Sequence, residues 1–259
     1  MCKPSLIDSH IHLDLYEGYE RDKILQELDL YSVEALISVS SCLQSTRTNI
    51  DLSRRDARVK PAAGFHPEQD LPSDGEVEEL LLFIELHQQE IVAIGEVGLP
   101  YYKIKEDPDI EVEPYIDLLE RFMIESEKMN KPIILHAVYE HAPIVCTLLE
   151  KHSIEKAHFH WFKGDDETID RMTENGYSIS ITPDVLYEVE IQKLVRKYPI
   201  EGIMVETDGP WRFEGEFQGR LTHPGMMHRT IEKIAELKGI PEADVYKQLF
   251  KNTSDFYGI

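Results

Sequence analysis

The sequence predicts an α/β protein, a single (β/α)8 TIM barrel spanning residues 1–259. Three observations carry this. Eight short apolar runs alternate with amphipathic segments of helical period. The length, 259 residues, is near the ~250 typical of one such barrel. The first run ends Asp8-Ser9-His10-Ile11-His12, whereas a doubly wound open sheet, the rival architecture, would carry a glycine-rich phosphate turn there.

The elements follow in order. Strands are expected at Leu6–His12, Ala35–Ser41, Val59–His66, Ile91–Leu99, Pro132–Ala137, Ala157–Phe162, Tyr177–Thr182 and Ile203–Asp208. Their near-continuous apolar character suits strands buried on both faces, as in a parallel sheet. Between them, Asp74–Gln89 begins at a Ser73 or Asp74 N-cap and sets Val77, Leu80, Leu81 and Ile84 on one face. Further helices are expected at Ile116–Met129, His141–His152, Asp166–Asn175 and Val185–Lys197. Gly176 and Gly202 precede the next strands, where helix C-caps belong. Met226–Lys238 and Glu242–Phe250 close the chain as two helices, and no linker, repeat or charge block divides it.

Composition excludes several classes. A hydrophobic content of 42% with 9% aromatics supplies a substantial core and excludes disorder. The longest apolar run, Leu80–Ile84, falls far short of the ~18–20 residues that cross a bilayer. The start Met1-Cys2-Lys3-Pro4 shows no apolar signal region, so no membrane association and a cytoplasmic location are expected. Cys2, Cys42 and Cys146 are odd in number and widely spaced. That pattern excludes a disulfide framework and a thiolate zinc site, and fits a reducing cytosol. With 27 Lys and Arg against 49 Asp and Glu, the net charge is −22. Such a charge argues against tight non-specific binding of long nucleic acid. Small anionic substrates remain compatible where cations are concentrated locally.

In a (β/α)8 enzyme, catalytic groups come from the C-terminal ends of the strands. Those ends hold Asp8-Ser9-His10-Ile11-His12, Gly64-Phe65-His66-Pro67, Gly95-Glu96-Val97-Gly98, Leu135-His136-Ala137, His158-Phe159-His160-Trp161 and Glu206-Thr207-Asp208-Gly209-Pro210. Six of the 11 histidines fall there, while His87, His141, His152 and His228 are expected on ordinary helix surfaces. The strand period of two aims His10 and His12 to one side, where both imidazoles reach one ion. Glu96, His136, His160 and Asp208 would converge on the same mouth. Taken singly, a His-x-His pair or a strand-end Glu is more often structural; the joint pattern at six strand ends carries the assignment. Four His and two carboxylates exceed the needs of one tetrahedral ion. Two divalent ions ~3.5–4 Å apart are therefore expected, with Glu96 bridging. Imidazole and carboxylate suit zinc, manganese, iron or nickel, and zinc, magnesium and manganese are retained as candidates.

Secondary assignments follow. His160, nearer its strand end, is taken as the ligand over His158, which is left to packing or support. Glu206 is expected to pair with a polar neighbour. His66 either binds substrate or caps its turn, and His223 is a weaker candidate for substrate contact. Tyr101, Tyr102, Lys103, Lys105, Lys163, Arg212 and Arg220 would surround the mouth with cations and aromatic faces. The acids gather instead in segments such as Glu76–Glu90 and Glu111–Glu127. Phosphate recognition and base stacking need this kind of local pairing.

These residues resemble the TatD family of metal-dependent hydrolases and deoxyribonucleases, within the wider amidohydrolase-like barrels. The matching pieces are Asp8-Ser9-His10-Ile11-His12-Leu13-Asp14, Gly64-Phe65-His66-Pro67, Gly95-Glu96-Val97-Gly98-Leu99, His136, His160 with Phe162 and Gly164, Glu206-Thr207-Asp208-Gly209-Pro210 and Asn252-Thr253. They span nearly the whole chain in the family's order. The resemblance implies a barrel with a divalent metal centre and ligand roles for His10, His12, Glu96, His136, His160 and Asp208. The chain departs from the family pattern at Pro100, usually acidic, and at Leu221-Thr222-His223-Pro224, often an Asn-x-Pro-like piece. The expected reaction is hydrolysis of a phosphoester at a DNA end, in a short oligonucleotide or in a small phosphoester. In it, Asp208 binds one ion and orients or deprotonates the attacking water, and His66 positions substrate. Two alternatives stay open: an amide or lactone hydrolase on the same barrel, and a non-enzymatic partner subunit that retains the metal site.

Overall fold

The structure, a computed structural model, describes residues 4–259; Cys2 lies outside the described residues. Eight parallel strands hydrogen-bond in sequence order: β1 (Leu6–Ile11), β2 (Val33–Ser38), β3 (Val59–Ala63), β4 (Ala93–Gly98), β5 (Ile133–His136), β6 (Ala157–Phe159), β7 (Ser178–Ile181) and β8 (Ile203–Val205). The ring closes where the segment after β8 meets β1. Asp208 N–H donates to the His10 carbonyl at 2.9 Å, and His12 N–H to the Gly209 carbonyl at 2.8 Å. Asp8, fully buried at this seam, accepts from the backbone and hydroxyl of Thr207.

Helices cover the barrel: α1 (Gly18–Glu27), α2 (Leu43–Arg55), α3 (Asp74–Leu86), α4 (Tyr101–Glu106), α5 (Glu113–Met129), α6 (His141–Lys151), α7 (Asp166–Glu174), α8 (Val189–Lys197), α9 (Met227–Lys238) and α10 (Glu242–Tyr257). Each expected strand is present, and each ends one to three residues early; at β1, β3, β6 and β8 the residues left beyond the strand include His12, His66, His160 and Asp208. The helix expected from Val185 begins instead at Val189, after a 3-10 turn over Pro183–Leu186. The last helix runs beyond Phe250 to Tyr257, where Gly258 at φ 69° provides the left-handed stop. Two expected surface histidines are buried, His141 and His228. His228 links the hydroxyl of Tyr246 to the carbonyl of Tyr31.

Ile7, Ala35, Ile37, Val39, Ala62, Ala93, Ile134 and Met204, with Tyr257 from α10, pack as one cluster. The larger apolar cluster includes Leu36, Ile94 and Phe159 of the strands with Ile50, Leu80, Phe122, Val145 and Ile231 of the helices. The strands are thus buried on both faces, which is why their sequences read as continuous apolar runs. Among the described residues, no helix is long and apolar enough to cross a membrane.

Candidate metal centre

All six expected ligands meet at the C-terminal end of the barrel, with Glu96 at their centre. Its two carboxylate oxygens face different imidazoles. Oε2 lies 3.3 Å from His10 Nε2 and 3.1 Å from His12 Nε2. Oε1 lies 2.6 Å from His160 Nε2 and 3.0 Å from His136 Nδ1. Asp208 Oδ1 joins the first group, 3.2 Å from His10 Nε2 and 3.6 Å from His12 Nε2. His66 enters the cluster as well, its Nε2 3.5 Å from Glu96 Oε1. Its Nδ1 accepts from the Glu68 backbone N–H, which leaves the proton on Nε2. The expected turn cap and the expected place at the mouth are thus one arrangement.

Local backbone explains the placement. Gly98 pairs with His136 in the β4–β5 ladder, and any Cβ at Gly98 would run into the His136 carbonyl. Gly64 similarly lies against the backbone of Gly95 and Glu96. β1 is irregular between Asp8 and Ile11, and His12 lies just past its end. Asp208 takes a left-handed φ of 46° at the β8 exit, and Trp161 one of 38° after His160. Non-glycine residues held in that region cost free energy and recur at functional sites.

The electrostatics are those of carboxylates buried among imidazoles. Burial by itself pushes the Glu96 carboxyl up, but His160, His66 and His10 outweigh it and hold it well below the usual range. Burial and the neighbouring His160 would lower His10, yet Glu96 and Asp208 push it up to about 9. His160 is raised well above its ordinary value against its own burial, by Glu96 and Glu206. His66 goes the other way: burial takes it down to about 4.

The donor set fits divalent cations. His10 Nε2, Glu96 Oε2 and Asp208 Oδ1 are buried, mutually close and without a hydrogen-bond partner among the described residues. Unpaired buried polar atoms cost roughly 1–3 kcal/mol each, a cost that cation ligation removes. Four overlapping triads in this cluster are spaced to hold an ion, among them His10, His12, Asp208 and Glu96, His136, His160.

The supports behind the cluster divide into expected and missed. His158 is a support: the Tyr257 hydroxyl donates to its Nδ1 at 2.7 Å, and its Nε2–H reaches Ser180 Oγ at 2.6 Å. Ser180 in turn donates to Glu206 Oε2, while Glu206 Oε1 accepts from the Trp161 N–H and stands 3.8 Å from His160 Nδ1. Glu206 thus pairs with polar neighbours, as expected. Glu68 was missed. Its Oε1 lies 3.1 Å from His136 Nε2, and the same carboxylate accepts from the N–H groups of Tyr102 and Lys103 at the start of α4. Pro100, the N-cap of α4, offers no capping side chain; Glu68 supplies the acceptor from another loop. Its position two residues after His66 was the available signal.

The rim differs in part from expectation. Tyr101, Tyr102, Lys103 and Lys105 lie on α4 rather than in a loop, and Lys103 pairs with Asp70. His223 serves its own loop, accepting from Gly225 N–H and lying 3.4 Å from Glu27.

The family model described as TatD related DNase matches residues 7–258. The chain belongs to the TatD-related DNase family. This is a family of metal-dependent hydrolases, and the TatD-family chain shares their enzyme class. It is 38% identical over 253 residues to a Haemophilus influenzae protein named an uncharacterized metal-dependent hydrolase, covering 97% of this chain and 99% of that one. Human deoxyribonuclease TATDN3 is 29% identical over 256 residues, covering 95% and 92% of the two chains. The crystal structure of the TatD homologue YjjV from Escherichia coli has the same fold, with a TM-score of 0.89, 23% identity and 98% of each chain covered.

Proposed function

We propose that this TatD-family chain is a phosphodiesterase of the deoxyribonuclease type. Its substrate is a DNA end, a short oligonucleotide or a small phosphoester. His10, His12, Glu96, His136, His160 and Asp208 hold two divalent ions drawn from zinc, magnesium and manganese. The observation that carries the reading is the division at Glu96: one oxygen faces His10 and His12, the other His136 and His160. When bound, two divalent ions supply Lewis acidity, lowering the pKa of water and neutralising phosphoryl charge.

The chain's own groups do the rest. Burial would raise the Asp208 carboxyl, but His10 and its neighbours hold it below the usual range, so it is ionised at neutral pH. With its side chain 12% exposed at the mouth, Asp208 orients a water and accepts its proton. His66, neutral under the same conditions, offers an Nε2–H to a phosphoryl oxygen. Free thiols at Cys42 and Cys146 support a reducing, cytoplasmic setting.

The test is a metal-replete assay on bis(p-nitrophenyl) phosphate and single-stranded DNA, beside an ester and a lactam panel. Turnover confined to phosphoesters is expected, with Asp208→Asn losing roughly 10²–10⁴-fold while folding normally. Turnover confined to the lactams, or near-normal activity in Asp208→Asn, would refute the reading.

A further inference from the structure

Behind the metal centre, a single file of hydrogen bonds runs through the barrel interior to the end of the chain. It begins at Tyr257, the last residue of α10, whose ring packs in the barrel cluster with Ile7, Ile37, Ile134 and Met204. Its hydroxyl lies 2.7 Å from His158 Nδ1 and 3.4 Å from the Ser9 carbonyl, so the imidazole is the stronger partner. His158 Nε2 lies 2.6 Å from Ser180 Oγ, which in turn lies 2.6 Å from Glu206 Oε2. Glu206 Oε1 accepts the Trp161 N–H at 2.8 Å and faces His160 Nδ1 at 3.8 Å. His158, Ser180, Glu206 and His160 are each 4% exposed or less, so bulk water offers no substitute partner.

The donors in this file all point one way. The Ser180 hydroxyl gives its proton to Glu206, so toward His158 it can only accept. The His158 proton is therefore on Nε2. His158 is fully buried and both its ring nitrogens face hydroxyls rather than carboxylates, which keeps it neutral. Its Nδ1 is then an acceptor, and Tyr257 supplies the donor it needs. At the other end, His160 presents Nε2 to Glu96. An imidazole that ligates through Nε2 carries its proton on Nδ1 and needs an acceptor there. His160 Nδ1 has no hydrogen-bond partner among the described residues. The carboxylate facing it is the one that Ser180 and Trp161 hold in place.

We propose that Tyr257 is a remote positioning residue of the metal centre, acting through His158, Ser180 and Glu206 on the Nδ1 side of His160. The C-terminal helix is thereby coupled to the ion held by His136 and His160, and not to the ion held by His10 and His12. The inference rests on the two-ion part of the functional reading and adds to it a residue 99 positions from His158. Tyr257→Phe keeps the ring in its apolar cluster and removes only the hydroxyl. His158 Nδ1 then lacks a donor. A proton moved onto Nδ1 makes Nε2 an acceptor, which draws the Ser180 proton back and releases Glu206.

The experiment is a competition titration of Zn²⁺ against a chromophoric chelator in the full-length parent, Tyr257→Phe, Ser180→Ala and the double variant. One of two ions should weaken roughly tenfold in each single variant, with the other unchanged. It should be the ion that Glu68→Gln also weakens, since Glu68 stands behind His136. Because both substitutions break one file, the double variant should bind no more weakly than either single one. Imidazole ¹⁵N shifts of the zinc-loaded parent should place the His158 proton on Nε2. Parent-like affinity in Tyr257→Phe, equal loss at both ions, additive loss in the double variant, or a His158 proton on Nδ1 overturns the coupling. A single bound ion that weakens in both single variants supports the coupling and refutes the two-ion reading. Two ions held alike in parent and variants do the reverse.

Discussion

Replacing Glu68 with Gln removes one formal charge from the back of His136 and changes little else in shape. The carboxylate stands 3.1 Å from His136 Nε2, with the two side chains only 16% and 11% exposed, so solvent screening is limited. It also carries the N–H groups of Tyr102 and Lys103, of which the Gln carbonyl can still accept one. A hydrogen bond to a charged group is worth about 1.5–3 kcal/mol, equivalent to roughly 10–100-fold in affinity at 1.4 kcal/mol per decade. That matches the usual effect of removing the carboxylate behind a metal-binding imidazole. Competition titrations of Zn²⁺ and Mn²⁺ against a chromophoric chelator should therefore show affinity roughly 10–100-fold lower in Glu68→Gln. Glu68→Asp should recover part of the loss. Circular dichroism identical to the parent would exclude a folding defect. An unchanged metal affinity in the folded variant would refute the reasoning.

Metal removal should lower thermal stability. A ligand at a hundred times its dissociation constant adds about 2.7 kcal/mol, which in a chain of this size is roughly 5–10 °C in Tm; scanning calorimetry of chelated and reloaded protein checks it. In metal-free protein, the His10 imidazole is raised from its ordinary 6.5 to about 9. Its stabilisation is complete below about 6.5 and lost as pH climbs through about 9. Melts of chelated protein should fall across that window, and a flat or rising Tm would contradict the assignment. Gly98→Ala should cost several kcal/mol or prevent folding, because the added methyl meets the His136 carbonyl; urea titration measures it. Ile134→Ala, inside the barrel and fully buried, should cost about 2–5 kcal/mol with metal affinity retained.

Legibility varied with the kind of interaction that forms each element. The strands were legible because both faces are buried, so their apolar runs survive without any partner being known. α2 was missed because its buried face is largely polar: Ser45, Thr46 and Asn49 are buried beside Ile50 and Leu52. Asn49 bonds Ser38, Ser40 and the Val39 carbonyl, pinning the end of β2. α1 was missed for a related reason, since only Ile24 of its ten residues is buried. His141 and His228 were misplaced on surfaces because helical periodicity shows which positions share a face. It does not show what later elements cover.

The sequence by itself determined the barrel class and the chemical types at its strand ends, since both depend on local patterning: apolar runs, helical periods and donor-bearing side chains at run termini. Which oxygen of Glu96 serves which imidazole, the backing of His136 by Glu68, and the meeting of Trp161 with Trp211 were decided only by tertiary structure. Those contacts join residues 40, 68 and 50 positions apart. Distance, burial and angle between separate elements have no period along the chain, so no local pattern could record them.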